Sequence, residues 1–259
     1  MVRDAEGPPL EPLWAPGVPE SPPGGEVQVW LADLDRPPIP RERLAALLAP
    51  DERARADRFR FDVHRFRYTV GRGLLRTLLG RFLGSDPRGI AFDYGDRGKP
   101  RLARPPWDLR FNLSNSRNAV LIAVARGVEL GADIEALRDL DDAAALVERF
   151  FHPAERQVFA RLEAGDRIAG FYSGWTRKEA YVKARGDGLS LPTSAFQVDL
   201  SPGGPAALLR FDQEPEEVAR WSLAAFEPAR GYLGALAVEA LEDGEREIRC
   251  RVWRRGTPH

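Results

Sequence analysis

The chain is poor in soft and redox-active ligands. Its 259 residues include one cysteine, Cys250, one methionine, and three histidines at 64, 152 and 259. A lone cysteine makes no intrachain disulfide, and Cys250 has no histidine beside it in sequence to mark a nucleophile. The histidines are scattered, which excludes a recognisable zinc-ligand spacing. No apolar run is long enough to span a bilayer, and the first residues contain no apolar leader, so no membrane partner and a cytoplasmic location are expected. The G-x-x-x-x-G-K-[ST] loop of P-loop kinases is absent. A net charge of −1 gives no bulk attraction to nucleic acid. Lysine is the scarcest charge: of 38 basic side chains, only Lys99, Lys178 and Lys183 are not arginine. Lysine is a compact point charge and arginine a planar fork, so each lysine marks a position where arginine's geometry is unsuitable.

What is present suits a folded, water-soluble protein: 43% apolar and 30% charged residues, enough for one large domain or two small ones. Residues 1–25 are rich in proline and glycine and read as a disordered lead. Alternation of Val27, Val29 and Leu31 predicts a strand, and residues 41–48 a helix stopped by Pro50. A helical stretch over 51–84 follows, with Val70, Leu74, Leu75, Leu78 and Leu79 on one face. Gly71 and Gly73 weaken that helix, which points to close packing. Strands are predicted at 90–94, 110–114 and 119–125. Residues 140–162 read as helical with a break at Pro153, and 168–183 as a second helix. Strands at 195–200, 206–211, 221–226 and 232–238 close the chain. Strands in runs favour α+β over a doubly wound sheet. The expected organisation is the lead, an N-terminal half at 26–127, a C-terminal half at 128–242 and a tail at 243–259.

The chemistry gathers in two segments. In G-A-D-I-E (131–135), Asp133 and Glu135 are two apart, so on a strand they project from one face. In W-T-R-K-E-A-Y-V-K (175–183), Trp175, Glu179 and Lys183 are four apart and share a helix face. Lys178 points about 100° away from Glu179 on an ideal helix. A D-x-E pair alone is common on exposed strands, and E-x-x-x-K alone is an ordinary helix salt bridge. Together they supply three carboxylates, too many to cluster without a cation. Mg²⁺ with phosphate oxygens answers that need, and a lysine alongside would meet a bridging or leaving phosphate. Residues 41–81 add eleven arginines against five acids, which suits an anionic ligand or a solvated helix face.

The two segments, followed by G-D-G-L-S-L-P (186–192), resemble the signature of 4′-phosphopantetheinyl transferases. F-N-L-S-N-S (111–116), G-K-P (98–100) and A-P-D-E-R-A-R-A-D-R-F (49–59) extend the resemblance over roughly residues 26–240. The chain length is similar to that of the surfactin-synthetase-associated class, in which one chain carries two halves. The resemblance implies two α+β halves in pseudo-twofold arrangement, each a small antiparallel sheet packed with helices. It implies transfer of the phosphopantetheine arm of coenzyme A to a serine of an apo acyl or peptidyl carrier protein, leaving 3′,5′-ADP. By the same resemblance Asp133, Glu135 and Glu179 match Mg²⁺ ligands, and Glu179 is the candidate for activating the serine. Lys183 matches the lysine at the pyrophosphate, and Ser114 a phosphate-contacting serine. Lys99 and Pro100 match the segment along the nucleotide. Arg67, Arg55 and Arg53 match basic positions at its phosphates. The stretch 145–159, with adjacent Phe150 and Phe151, matches the region that docks the carrier; one phenylalanine facing the core and the other exposed would fit. A two-half chain completes its own site as a monomer.

Two other readings fit parts of the pattern. Metal-dependent nucleases also cluster acids with a lysine, but usually as E-x-K on a strand, whereas Glu179 and Lys183 have helical spacing. An inactive carrier-binding relative is opposed by the intact acids and Lys183. One departure from the family pattern stands out: histidine commonly follows the serine matched by Ser114, and here it is Asn115, which donates a hydrogen bond but carries no charge. Either the 3′-phosphate is used less, or an arginine such as Arg117 compensates. The expected outcome is a smaller preference for coenzyme A over dephospho-coenzyme A than in a histidine-bearing relative, measured as a ratio of kcat/KM. A large preference abolished by Asn115→Ala would show that asparagine suffices.

Overall fold

Strand β1 (Val2–Ala5) opens the chain in a computed structural model that describes residues 2–5, 26–95, 98–105, 107–186, 188–201, 203–240 and 247–253. Then come β2 (Glu26–Asp33), α1 (Arg41–Ala45), α2 (Pro50–Asp57), α3 (Asp62–Leu83), the hairpin β3 (Phe92–Tyr94) and β4 (Pro100–Leu102), and β5 (Leu109–Ser116) with β6 (Ala119–Arg126). The second half holds β7 (Leu130–Ala136), α4 (Ala143–Phe150), α5 (Pro153–Arg161), α6 (Arg167–Arg185), β8 (Phe196–Val198), β9 (Leu208–Phe211), α7 (Glu217–Arg220), β10 (Trp221–Phe226) and β11 (Tyr232–Glu239). Strand β12 (Glu247–Trp253) is the last element. The chain is α+β, as its strand runs predict.

Two sheets lie back to back. The larger has the order β1-β12-β2-β6-β5, and the smaller β10-β11-β7, all antiparallel. Alternation along β6 explains the layering. Val120, Ile122 and Val124 join Trp30 and the apolar face of α3, while Ala119, Leu121, Ala123 and Ala125 meet Leu130, Ala132, Ile134 and Leu236 of the smaller sheet. The far face of the smaller sheet packs on α6, with Ala235 and Ala237 against the core that holds Tyr181 and Ala184. The layers run helix, sheet, sheet, helix.

Three expectations change. The stretch 51–84 is two helices, because Arg58–Phe61 is not helical. Residues 247–253, expected within a tail, form β12, which inserts in the larger sheet parallel to both β2 and β1. Trp253 is buried and packs edge-on against Trp30, 5.6 Å between rings. Val2–Ala5, expected to be disordered, forms the sheet's outer strand, and the rest of the predicted lead, residues 6–25, lies outside the described residues.

The eleven arginines of 41–81 do not form one patch. Arg76 is 1% exposed and donates to Glu52 Oε2 (2.6 Å) and to the carbonyls of Pro87 and Ile90. Arg72 pairs with the other Glu52 oxygen at 2.6 Å, and Glu52 also accepts the Ala49 N–H that opens α2. These two arginines tie α2 to α3. Arg53, Arg55, Arg58 and Arg60 remain exposed.

Close backbone approaches set the helix positions. A Cβ at Gly73 would stand 2.6 Å from Leu44 Cβ and 2.9 Å from its carbonyl oxygen, so this glycine lets α1 lie on α3. Gly71 meets only ordinary contact, 3.6 Å to Leu34. At Gly131 the constraint is tighter: a Cβ would stand 2.2 Å from both Ala180 O and Ala184 N of α6. Backbone atoms have no rotamer with which to yield. Gly131→Ala is therefore expected to lower stability by about 3 kcal/mol through overpacking, read as a shifted urea midpoint. A loss below about 0.5 kcal/mol would show that α6 moves away freely.

Candidate active site

The α6–β7 crossing puts the two motifs together. On β7, Leu130, Ala132 and Ile134 face the other sheet, so Gly131, Asp133 and Glu135 face α6. On α6, Lys183 reaches across and donates to Asp133 Oδ1 at 2.6 Å and to Ser114 Oγ at 3.0 Å. Ser114 in turn donates to Asp133 Oδ1 at 2.8 Å. One strand register further, Ser116 donates to Glu135 Oε2 at 2.6 Å and accepts the Ala136 N–H at 3.1 Å. Asn112 Oδ1 accepts the Ala132 N–H at 3.0 Å. Residues 112, 114 and 116 alternate along β5 and stitch its edge to β7 across the two sheets.

The electrostatics are unbalanced. Asp133 is 3% exposed, and its Oδ2 is buried with no hydrogen-bond partner among the described residues. Burial pushes the Asp133 carboxyl above the usual range, against the pull of Lys183 and Ser114. Burial also raises Glu135, with Asp133 adding to the rise. Glu179, one turn before Lys183, is raised by burial first and then by the charges of Asp133 and Glu135. Three acids therefore sense one another with a single lysine among them. Among the described residues, no three His, Cys, Asp or Glu side chains are already gathered as a ligand set, so the expected convergence on one point is looser than the spacing suggests. The donor set nonetheless suits a hard divalent cation: carboxylate oxygens, one of them an orphan, held where charge is costly.

The other predicted residues fall elsewhere. Arg67 is held by Asp35 in a bidentate pair, at 2.8 and 2.7 Å, and its charge is also sensed by Tyr232. Arg55 is exposed with its guanidinium 5.5 Å from the Tyr68 ring, and Arg53 is exposed on α2. Asn115 is exposed on β5. Arg117 follows in the β5–β6 turn with φ 50°, a left-handed conformation uncommon for a side chain of this size. Pro100 begins β4. The Lys99 side chain is 11% exposed. Its ammonium donates to Glu129 Oε2 (2.9 Å), Leu130 O (3.1 Å) and Ala184 O (2.8 Å), using all three hydrogens.

Lys178 is structural. It is 1% exposed and donates to the Thr193 and Phe196 carbonyls, 2.7 and 2.6 Å away, with Glu155 at 2.8 Å. The Phe196 ring lies 4.4 Å from its ammonium. Burial pulls its pKa down to about 8. Glu155 also accepts the His152 and Val198 N–H groups, so the pair joins α5, α6 and β8. Phe151 is buried against Phe171, while Phe150 is half-buried and edge-on to Trp175. Sequence reasoning passed over Ser116 and Asn112. The rule that paired Asp133 with Glu135, two residues on one strand face, applies equally to 112, 114 and 116.

Comparison with known proteins agrees with this geometry. The model of the 4′-phosphopantetheinyl transferase superfamily matches residues 129–237, and that of the 4′-phosphopantetheinyl transferase N-terminal region matches 38–126. The 4′-phosphopantetheinyl transferase HetI of Nostoc sp. is 40% identical, spanning 82% of this chain and 87% of that protein. The transferase psf-1 of Bacillus pumilus is 34% identical over 70% of this chain and 77% of that protein, and Sfp of Bacillus subtilis 29% over 68% and 77%. The chain belongs to the 4′-phosphopantetheinyl transferase superfamily, in its two-half, Sfp-type class.

The raised carboxyl groups carry a consequence for stability. A carboxyl whose folded pKa lies above its unfolded value favours folding while protonated and loses that contribution as pH rises through the folded pKa. Without added divalent metal, Glu179→Gln should therefore be more stable than the parent at pH 7.5, and the difference should vanish near pH 4. Thermal melts at both pH values read this directly. Equal melting temperatures at pH 7.5 would mean that Glu179 feels no repulsion.

Proposed function

We propose that this protein transfers the 4′-phosphopantetheine arm of coenzyme A to a serine hydroxyl of an apo acyl or peptidyl carrier protein. The observation that carries the reading is the seam of Asp133, Glu135, Glu179 and Lys183, lying within the segment matched by the superfamily model, with Ser114 joining it from the segment matched by the N-terminal model. Asp133, Glu135 and Glu179 would hold Mg²⁺, which when bound offsets the negative charge of the pyrophosphate oxygens.

The rest of the chemistry belongs to the chain's own groups. Glu179 accepts the proton of the carrier serine. The serine oxygen bonds to the phosphorus bearing the pantetheine arm, the phosphorus–oxygen bond to the nucleotide breaks, and 3′,5′-ADP leaves. Lys183 stands one helical turn away to neutralise charge on the bridging and leaving oxygens. Ser114 orients both Asp133 and Lys183 by donating to one and accepting from the other. Chemistry of this kind depends on positioning and charge neutralisation more than on covalent assistance. The exposed arginines of α2 and its following loop suit the nucleotide phosphates. Arg67 would need to exchange Asp35 for a phosphate to join them. Trp175 and Phe150 form a half-buried aromatic shelf on the Glu179 side of α6, beside the stretch proposed for the carrier. Ser114 and Ser116 come from one half and the acids from the other, so a single chain supplies the whole seam.

Incubation with coenzyme A, Mg²⁺ and an apo carrier protein should raise the carrier's mass by one phosphopantetheine. Lys183→Ala should slow the reaction by about 10²–10³, and Glu179→Ala by at least as much. No mass gain across several acyl and peptidyl carriers would overturn the transferase reading. A full rate in Glu179→Ala would overturn its role as base.

A further inference from the structure

We infer that Lys99 is a positioning residue: it clamps the start of β7 to the end of α6 and thereby fixes the spacing of the two elements that carry the reacting groups. The inference deepens the transfer reading and uses it for its kinetic arm alone.

Two of the acceptors belong to neighbouring residues at the start of β7, Glu129 and Leu130, and the third to the end of α6. Leu130 O lies on β7 next to Gly131, the residue whose missing Cβ admits α6. Ala184 O lies on α6 next to Lys183, and belongs to the last turn, where helix carbonyls have no intrahelical donor. An ammonium there also opposes the negative end of the helix dipole. Glu129 supplies the countercharge and is itself held by Arg110 at 2.8 Å and by its own N–H, which donates to Glu239. The helix ends at Gly186 with φ 78°, and a Cβ there would stand 3.3 Å from Lys99 Cδ, so the lysine stem runs through the space that this glycine leaves.

This arrangement explains why the residue is lysine. Two backbone carbonyls and a carboxylate all lie within hydrogen-bond distance of one nitrogen, which an ammonium with three rotatable donors serves from a single point. It also argues against direct contact with coenzyme A. The side chain is 11% exposed, and a phosphate would have to strip the ammonium from a carboxylate and leave two carbonyls unsatisfied. The clamp lies one residue from Lys183 on the helix and three from Asp133 on the strand, so loosening it disturbs the Lys183–Asp133 contact before any other part of the seam.

The test combines kinetics with amide hydrogen exchange on the full chain. Lys99→Met keeps the stem length and removes the ammonium. The clamp predicts that kcat falls about tenfold to a hundredfold while KM for coenzyme A stays within about twofold. It also predicts faster exchange in peptides covering 182–186 and 129–133, with 119–126 unchanged. A raised KM with unchanged kcat and unchanged exchange would make Lys99 a coenzyme A contact and overturn the clamp. Glu129→Gln keeps the two backbone carbonyls and one side-chain oxygen but removes the charge, and separates the two ideas if Lys99→Met does not fold. The clamp predicts faster exchange at 182–186. A coenzyme A contact predicts unchanged exchange and a lower KM, because the lysine is released. Should the parent protein transfer nothing to any carrier, the transfer reading fails by itself. The exchange measurement still decides the clamp: unchanged protection at 182–186 in Lys99→Met overturns it.

Discussion

Everything at the site depends on how closely α6 lies on β7. The helix backbone runs against the strand at Gly131 with no room for a methyl group. That contact carries no chemistry itself, yet it decides which groups meet. With the crossing at Gly131, the next two residues on the same strand face are Asp133 and Glu135. The helix side chains above them are those of Glu179 and Lys183. A helix lifted by the thickness of one side chain would leave Lys183 unable to donate to Asp133 and Ser114 together. The glycine admits the helix, the β5 serines hold the strand acids, and the clamp at Lys99 closes the open end of the crossing.

The same helix carries two opposite electrostatic arrangements. Lys178 points inward to Glu155 and two carbonyls, inside an aromatic enclosure, and the pair is fully partnered. Breaking such a buried pair from one side typically costs about 3–5 kcal/mol, so it serves as an anchor. One residue later, Glu179 feels the charges of two other carboxylates and of Lys183, and an Asp133 oxygen is left buried without a donor among the described residues. Local rules of charge pairing are obeyed at 178 and broken at 179. Proteins break such rules chiefly where a ligand completes the balance. The anchor at Lys178 holds the helix steady enough for the unbalanced neighbour to be tolerated.

Much of this was legible in the sequence, for geometric reasons. Period two on a strand and period four on a helix placed Asp133 with Glu135 and Glu179 with Lys183 before any fold was known. Pattern reading is weakest where partners are distant in sequence. Lys99 matched the segment along the nucleotide, and its acceptors at 129, 130 and 184 cannot be read from its neighbours. The arginines of 41–81 looked like one surface, yet Glu52 draws Arg72 and Arg76 inward. Residues 247–253 fall in the expected tail although Glu, Ile, Arg, Cys, Arg and Val alternate polar with apolar; that period-two signal was passed over, and parallel pairing with β2 and burial of Trp253 make the segment a strand. Ser116 was readable but unweighted, since a serine on a strand has no rarity to draw attention.

The scarcity of lysine is explained by direction. Arg76 spreads its donors over one carboxylate and two carbonyls, and Arg67 meets one carboxylate with two of its nitrogens, as a fork allows. At each of the three lysines the acceptors come from separate elements and surround a single point: β7 and α6 with Glu129 for Lys99, the loop carbonyls with Glu155 for Lys178, and Asp133 with Ser114 for Lys183. An ammonium rotates its three donors to suit such a point, and a guanidinium does not. Two of those points are closed, with every donor placed in the protein. Among the described residues, Lys183 donates to an aspartate and a serine hydroxyl, beside two further acids, and its side chain is 29% exposed where the other two are 11% and 1%. Of the three, it is the one with a face left for a ligand.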